Sequence, residues 1–160
     1  MNKVILMLTL LTFAFPNVYI SYDLKTEIKI AGDKESADKG QISIGYEDYY
    51  EDDSPIMIGV SLGVIEADFN GVEPSLSSIY GKYVFENSAW AMLGYAFPGG
   101  DFDELDAGLQ YGFGYTSSDG FGLYIKMTQL SISNSYSYDY YDYETSENID
   151  VTQIGFSYNF

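Results

Sequence analysis

Apolar and polar side chains alternate with a period of two along most of this chain. The alternation is clearest between Leu105 and Thr116, where leucine, alanine, tyrosine and phenylalanine take every second position and glycine or polar residues take the others. Successive side chains of a β-strand point to opposite faces, so this pattern predicts strands with one apolar and one polar face. Eight such strands are predicted, at residues 24–30, 41–49, 56–64, 77–85, 89–97, 105–116, 121–132 and 149–160.

The connections between the predicted strands alternate in length, except that the acidic turn after the second strand, 51–55, is longer than this scheme prefers. Short turns are expected at 86–88 and 117–120, and longer loops at 32–39, 66–74, 98–104 and 133–148. Amphipathic strands joined alternately by short turns and long loops are typical of barrels that cross an outer membrane. The sequence therefore predicts an all-β fold, an eight-stranded antiparallel up-and-down transmembrane β-barrel over residues 22–160, with the short turns and the C-terminus in the periplasm.

The polar face of the predicted strands helps to separate a membrane barrel from a soluble β-sandwich, which alternates in the same way. This face is rich in glycine, serine and glutamine, which suit the narrow lumen of an eight-stranded barrel. A lysine in lipid costs about 2–4 kcal/mol, so we expect the strand lysines in the lumen, paired with carboxylates in a salt-bridge network that blocks conduction. The members of this network are Lys25, Glu27, Lys29, Glu47, Lys82, Asp106 and Lys126. A narrow porin-like ion pore and a secreted soluble β-sandwich are the alternatives.

The N-terminus has the layout of a secretory signal peptide. A basic start, Met1 to Lys3, precedes an unbroken run of apolar residues and threonines from Val4 to Phe15. That run fits the apolar core of a signal peptide, roughly 7–15 residues long, and falls short of the roughly 18 residues that a spanning helix needs. We predict a signal peptide over residues 1–21, cleaved between residues 14 and 21, with a retained amphipathic anchor as the alternative.

The last predicted strand ends on an aromatic residue. Gly155, Tyr158 and Phe160 give the order glycine, aromatic, terminal aromatic. This order resembles the C-terminal signal by which the assembly machinery recognises bacterial outer-membrane barrels. Together with the strands, loops and signal peptide, it makes the mature chain similar to small outer-membrane barrels of the OmpA/OmpX type, in the outer membrane protein beta-barrel domain family. The resemblance implies a monomer in the outer membrane of a Gram-negative bacterium, in contact with outer-membrane lipid, lipopolysaccharide and the assembly machinery.

The composition excludes several kinds of chemistry. The chain has no histidine and no cysteine, which removes Ser/His and Cys/His catalysis and most zinc sites. A net charge of −17 without any arginine argues against nucleic acid as a partner. We therefore expect no enzymatic activity, no catalytic residue, no cofactor and no metal site.

A tyrosine-rich acidic segment precedes the last predicted strand. Tyrosine buries a large area at low entropic cost, so such a segment makes a good recognition surface. The candidate recognition residues are Tyr136, Tyr138, Asp139, Tyr140, Tyr141, Asp142 and Tyr143. The alternative is that the segment only extends two strands as a protruding hairpin. The expected function is a structural or surface-recognition role, with an extracellular ligand that the sequence does not identify.

Overall fold

A computed structural model describes residues 17–138 and 141–160, with side chains described outside 133–147. Among these residues there is no helix long and apolar enough to cross a membrane. The strands are β1 (Val18–Ile30), β2 (Asp33–Ser36), β3 (Ile42–Tyr49), β4 (Ile56–Ile65), β5 (Pro74–Val84), β6 (Ala89–Gly100), β7 (Asp106–Thr116), β8 (Phe121–Tyr138) and β9 (Tyr141–Asn159).

The strands form one antiparallel sheet that closes on itself. From β3 to β9 each strand pairs with its neighbour in sequence, β1 pairs with β3, and the β1–β9 pairing closes the ring. The short β2 pairs with the end of β1 and is an addition to the wall, which therefore has eight strands. The predicted eight-stranded antiparallel barrel is confirmed. The β-sandwich alternative is wrong, because a sandwich needs two separate sheets.

The connections between the strands lie at two opposite ends of the barrel. One end, here called the C-terminal end, carries Phe160 and the β3–β4, β5–β6 and β7–β8 turns. Each turn includes a residue of positive φ, namely Asp53 (66°), Ser88 (65°) and Gly120 (83°). The opposite end, here called the loop end, carries the remaining connections. One of them contains the predicted Asn70-Gly71 turn, in which both residues have positive φ.

Two strands differ from their predicted lengths. β8 and β9 remain paired as far as Tyr138 and Tyr141, so the backbone forms the protruding hairpin in place of the predicted loop 133–148. β1 begins at Val18 and not at Leu24. The predicted signal segment up to residue 16 lies outside the described residues, and so do Asp139 and Tyr140. The side chains of the other candidate recognition residues, Tyr136, Tyr138, Tyr141, Asp142 and Tyr143, lie outside them too.

The outer surface of the wall is divided into an apolar and a polar zone. In the zone nearer the C-terminal end, the exposed side chains are mainly large and apolar. We call this zone the apolar belt. It includes Ile58, Ile79, Leu93, Phe113, Leu123 and Ile154. Nearer the loop end the outward positions become polar on β5 and β9, as at Ser77, Thr152 and Asp150. β4 and β6 keep exposed apolar residues there, as at Ile65 and Phe97.

At about the same level, the interior changes from mainly polar to apolar side chains. Within the apolar belt the inward side chains are largely polar, whereas beyond it they form an apolar cluster, here called the upper core. Its buried residues are Ile28, Ala67, Phe69, Leu76, Leu130, Ile149 and Val151. β5, β8 and β9 keep one phase across this change, since no register shift interrupts the β8–β9 or β5–β6 pairing. The outer surface and the interior of these strands therefore exchange apolar and polar character at this level.

Candidate functional site: a filled lumen and a loop-end pocket

A buried ion pair crosses the lumen near the C-terminal end. The ammonium of Lys82 on β5 bonds to Oε2 of Glu47 on β3, and both side chains are under one-tenth exposed. The Tyr80 hydroxyl donates to Oε1 of the same carboxylate at 2.6 Å. Because Tyr80 gives its proton to Glu47, Tyr19 on β1 is the donor in the 2.8 Å bond between the two hydroxyls. Three strands are thus joined through the interior, and both oxygens of the carboxylate are satisfied.

A second polar group fills the lumen on the opposite wall. Asp23 accepts hydrogen bonds from the Tyr124 hydroxyl and from Nε2 of Gln153, both at 2.6 Å. The ammonium of Lys126 lies 4.5 Å from the centroid of the Tyr124 ring, within range of a cation–π interaction. Asp23 is absent from the residues predicted for the lumen because the first strand was predicted to start at Leu24. The alternation of Tyr19, Ser21 and Asp23 with apolar neighbours is the signal that could have found it.

Glycines on neighbouring strands make room for the large luminal side chains. Tyr124 and Trp90 each lie beside a directly paired glycine, Gly155 and Gly114. A Cβ on either glycine would collide with the facing ring. The same relationship joins Tyr19 with Gly45 and Tyr80 with Gly59. The aliphatic part of Lys126 lies close to its paired glycine, Gly112.

This pairing of large with small side chains leaves little space in the lumen. The cavity bounded by Tyr19, Glu47, Lys82, Trp90 and Lys126 measures about 30 Å³. That volume corresponds to roughly one water molecule. The lumen at this level is filled by side chains and is not an open channel.

The structure brings together part of the predicted charge network. Glu47 and Lys82 form the ion pair described above, and Lys126 lines the same cavity. The structure places Lys25, Glu27 and Lys29 on the outer surface instead.

The outward position of Lys25, Glu27 and Lys29 on β1 has two physical causes. β1 carries an extra residue, Leu24, because Asp23 pairs with Gly155 whereas Lys25 pairs with the next residue of β9, Ile154. This β-bulge shifts the alternation by one position. Beyond the bulge the outer surface meets water, so lysine faces outward at no cost and Ile28 fills the upper core.

Asp106 is also placed on the outside and not in the lumen. The register between β7 and β8 shifts between Asp106 and Leu109, so that three steps along β7 oppose two along β8. The extra residue turns Asp106 outward. β8 stays in register with β9 throughout, so the irregularity lies on β7 and not on β8.

The three residues of the C-terminal signal lie on both faces of β9. Gly155 faces the lumen under Tyr124, whereas Tyr158 and Phe160 face outward and are each about two-fifths exposed. Their rings make an edge-to-face contact with centroids 5.2 Å apart. The backbone N–H of Phe160 donates to the carbonyl of Val18 at 3.1 Å, which ties the end of the chain to the first strand. All three residues therefore contribute to packing within the barrel, independently of any recognition during assembly.

A separate pocket lies at the loop end beside the upper core, to which its lining residues Ile28 and Phe69 belong. It has a volume of about 390 Å³ and is walled mainly by apolar side chains, with charged residues of β2 at its margin. Its lining includes Ile28, Ile30, Phe69, Val72 and Phe102. The adjoining β4–β5 turn is held by Asp68, which accepts from the Gly71 N–H at 3.0 Å and pairs with Lys39 at 3.2 Å. The Gly71 hydrogen bond and then Lys39 lower the pKa of Asp68, since both favour its charged form.

No group of metal-binding side chains is present among the described residues. Their geometry defines a class, the closed eight-stranded β-barrel with an apolar exterior and a lumen filled by polar and aromatic side chains. No family model matches the chain, and no curated protein matches it.

Two solved structures are similar in fold. The crystal structure of the outer membrane protein OprG from Pseudomonas aeruginosa matches with 14% identity and a TM-score of 0.47, over 91% of this chain and 97% of that one. The solid-state NMR structure of the outer membrane protein AlkL in DMPC bilayers matches with 13% identity and a TM-score of 0.43, over 91% of each chain.

Proposed function

We propose that this protein is a monomeric integral barrel of the Gram-negative outer membrane with a structural or surface-recognition role, comparable to the small OmpA/OmpX-type barrels. The apolar belt supports a membrane location, because large aliphatic and aromatic side chains cover a wall that the β1–β9 pairing closes into a ring. The short turns at the C-terminal end support a periplasmic position for that end. The longer connections then face outside the cell.

The Glu47–Lys82 ion pair is the observation that best supports a lumen closed to ions. Both charged groups are buried and are held by each other and by Tyr80. The cavity that they share with Tyr19 and Lys126 has space for roughly one water molecule, and a second cavity of about 210 Å³ lies between them and the turns of the C-terminal end. A hydrated ion would need this network to open, which would leave a charged group buried without its partner. The narrow porin-like pore is therefore the less favoured function.

Conductance across a planar lipid bilayer tests this proposal. The purified barrel is expected to give no steady current, whereas a Tyr19→Ala/Tyr80→Ala variant, which removes two large luminal rings, is expected to give small current steps. The double variant serves as the positive control for insertion. Steady single-channel current from the wild-type protein would reject the filled-lumen proposal.

A specific observation favours recognition of a small apolar molecule at the loop end. The pocket walled by Ile28, Phe69, Val72 and Phe102 has the volume and apolar lining common to small-molecule sites. Val72 is more than two-fifths exposed, so it can be changed without disturbing the upper core. A Val72→Asp variant should lose binding of an apolar fluorescent probe such as N-phenyl-1-naphthylamine. Ser75→Asp, which adds the same charge on the nearby outer wall, is the matched control. Equal probe binding by wild type and Val72→Asp would remove this pocket as the site.

A further inference from the structure

The charged residues of β2 lie on two different faces of the β1–β2 hairpin. Glu35 pairs directly with Ile28, and Asp33 pairs directly with Ile30. Residues that are directly opposite in an antiparallel pair have their side chains on the same face of the sheet. Both carboxylates therefore share a face with the two isoleucines, and all four residues line the loop-end pocket. Lys34 alternates with the carboxylates, so its side chain leaves β2 on the other face.

The one lysine at the pocket margin is already paired with a carboxylate outside the pocket. The ammonium of Lys34 lies 2.8 Å from Oε1 of Glu27, which is on the outer surface of β1. Lys34 is also the cross-strand partner of Lys29, another residue of that outer surface. The positive charge of Lys34 is therefore directed to the far side of the hairpin and does not offset the two carboxylates that face the pocket.

The two carboxylates of β2 are available to a ligand. Glu35 accepts a long hydrogen bond, 3.4 Å from Nδ2 of Asn70. Asp33 has no hydrogen-bond or ion-pair partner among the residues that the structure describes. Both side chains are exposed, so a cation can reach them without losing all of its hydration.

The segments around the pocket add further negative charge. The lining residues beyond β1 come from three connecting segments, 31–41, 66–73 and 101–105. Together these segments carry nine carboxylates and two lysines, and each of the lysines is paired with a carboxylate. A cleft with apolar walls and charge of one sign concentrates ligands of the opposite sign. The electrostatics of the pocket therefore favour a cation.

The rest of the pocket is apolar. Ile28, Ile30, Phe69, Val72 and Phe102 bound most of its volume of about 390 Å³. A small hydrophilic cation would gain nothing from these walls, and a neutral apolar molecule would gain nothing from the carboxylates. A ligand with an apolar body and an ammonium group at one end uses both parts of the pocket. The two phenylalanine rings also suit such a ligand, because aromatic faces attract cations.

We propose that the loop-end pocket selects a small apolar molecule that carries a positively charged amine, with the apolar part against the pocket walls and the ammonium group at Asp33 and Glu35. The inference rests on the recognition of an apolar molecule proposed above and adds the charge of the ligand. It does not depend on the filled lumen. The same carboxylates disfavour apolar anions such as fatty acids, so the pocket discriminates between apolar molecules by charge.

Displacement of N-phenyl-1-naphthylamine from the folded protein tests this inference. The protein is held in phosphatidylcholine nanodiscs, and empty nanodiscs measure the probe that enters the lipid. The three competitors share one chain length and differ in charge: hexylammonium, 1-hexanol and hexanoate. One exposed ion pair changes affinity by up to roughly fivefold. With two carboxylates, the wild type should bind hexylammonium roughly 2- to 25-fold more tightly than 1-hexanol, and hexanoate more weakly than 1-hexanol.

Two double variants locate the selectivity. Asp33→Asn/Glu35→Gln removes both charges with little change in side-chain size, so it should lose most of the preference for hexylammonium and still bind 1-hexanol as the wild type does. Glu51→Gln/Asp52→Asn makes the same change of charge on the exposed β3–β4 turn, at the other end of the barrel. This matched control should keep the wild-type preference. An unchanged preference in Asp33→Asn/Glu35→Gln would overturn the proposal.

The outcomes also separate this inference from the proposed function. If 1-hexanol displaces the probe and hexylammonium does so no better, the pocket recognises apolar molecules but the inferred selectivity for a cation is wrong. Tighter binding of hexanoate than of 1-hexanol would have the same meaning. If no competitor displaces the probe, and Val72→Asp binds the probe as the wild type does, both proposals fail.

If the variant without the two carboxylates fails to fold, the wild type still decides the question. Contacts between exposed charges weaken as salt is raised. The preference of the wild type for hexylammonium over 1-hexanol should therefore shrink between low and high salt, whereas binding of 1-hexanol should not weaken. A preference that does not change with salt would contradict the proposal.

Discussion

The ring of Tyr124 covers Gly155, its cross-strand partner, so that the luminal face of β9 has room for the ring only because residue 155 lacks a Cβ. The carbonyl of Tyr22 approaches the same position from the other side. Gly155 is thus confined between two strands, and the residue that resembles part of an assembly signal also has a packing role.

We expect Gly155→Ala to destabilise the barrel by about 1–3 kcal/mol, the usual cost of overpacking a filled interior. Gly81→Ala is the matched control, because a Cβ at that outward position of β5 meets nothing within 4 Å. Unfolding by urea in lipid vesicles can be followed through the fluorescence of the single tryptophan, Trp90. Equal midpoints for the two variants would contradict the packing role of Gly155.

The Glu47–Lys82 pair makes a prediction about single and double changes. Glu47→Gln should cost about 3–5 kcal/mol, because it leaves the Lys82 ammonium buried without a counter-charge. Glu47→Gln/Lys82→Met removes both charges and should be more stable than Glu47→Gln alone. Denaturant midpoints of the two variants measure the difference. As a control, Lys39→Met breaks an exposed pair and should change stability by less than about 1 kcal/mol. A double variant less stable than Glu47→Gln would show that the pair is not the source of the cost.

Deletion of Phe160 separates packing from recognition. The side chain is two-fifths exposed and contacts Tyr158, so its loss should cost no more than the roughly 3–5 kcal/mol of a buried phenylalanine. If the assembly machinery reads Phe160, the deletion variant should accumulate in the periplasm and be degraded in cells, while the purified variant still folds in detergent. Normal levels in the outer-membrane fraction would reduce Phe160 to a packing residue.

The position of β1 makes a prediction about processing. Val18 to Tyr22 pair with β3, and Tyr19 contributes its hydroxyl to the luminal network. Cleavage near Ser21 would remove Tyr19, whereas cleavage soon after Ala14 would leave the strand whole. Intact-mass measurement of the mature protein should therefore find an N-terminus before Val18. A mature chain starting at Tyr22 would mean that the barrel closes without the first residues of β1.

The sequence predicts the wall best where the strand lies within the apolar belt. On β4, Ile58, Val60 and Leu62 alternate with small residues and face outward as expected, because an apolar exterior and a crowded lumen impose one simple pattern. The Asn70-Gly71 turn is equally local, since two residues of positive φ are enough to define it.

Prediction failed on β1 because two effects act there at once. The bulge at Leu24 shifts the alternation, and the outer surface changes from apolar to polar within the same strand. If apolar side chains are assumed to face outward along the whole strand, the pattern assigns Lys25 and Ile28 to the wrong faces. Asp106 was misplaced by a bulge alone. Neither bulge has a residue pattern of its own, because each depends on the register of the neighbouring strand.

The pairing of β1 with β9 has a consequence for the time course of folding. Asp23 and Gln153, which are hydrogen-bonded across this seam, are 130 positions apart in sequence. Contacts of such long range form late, because the loop-closure entropy must be offset by the rest of the sheet. Until the seam forms, the chain is an open sheet with two unpaired edges that other chains can join. The β1–β9 pairing therefore forms last, and its formation ends the period during which this protein is prone to aggregate.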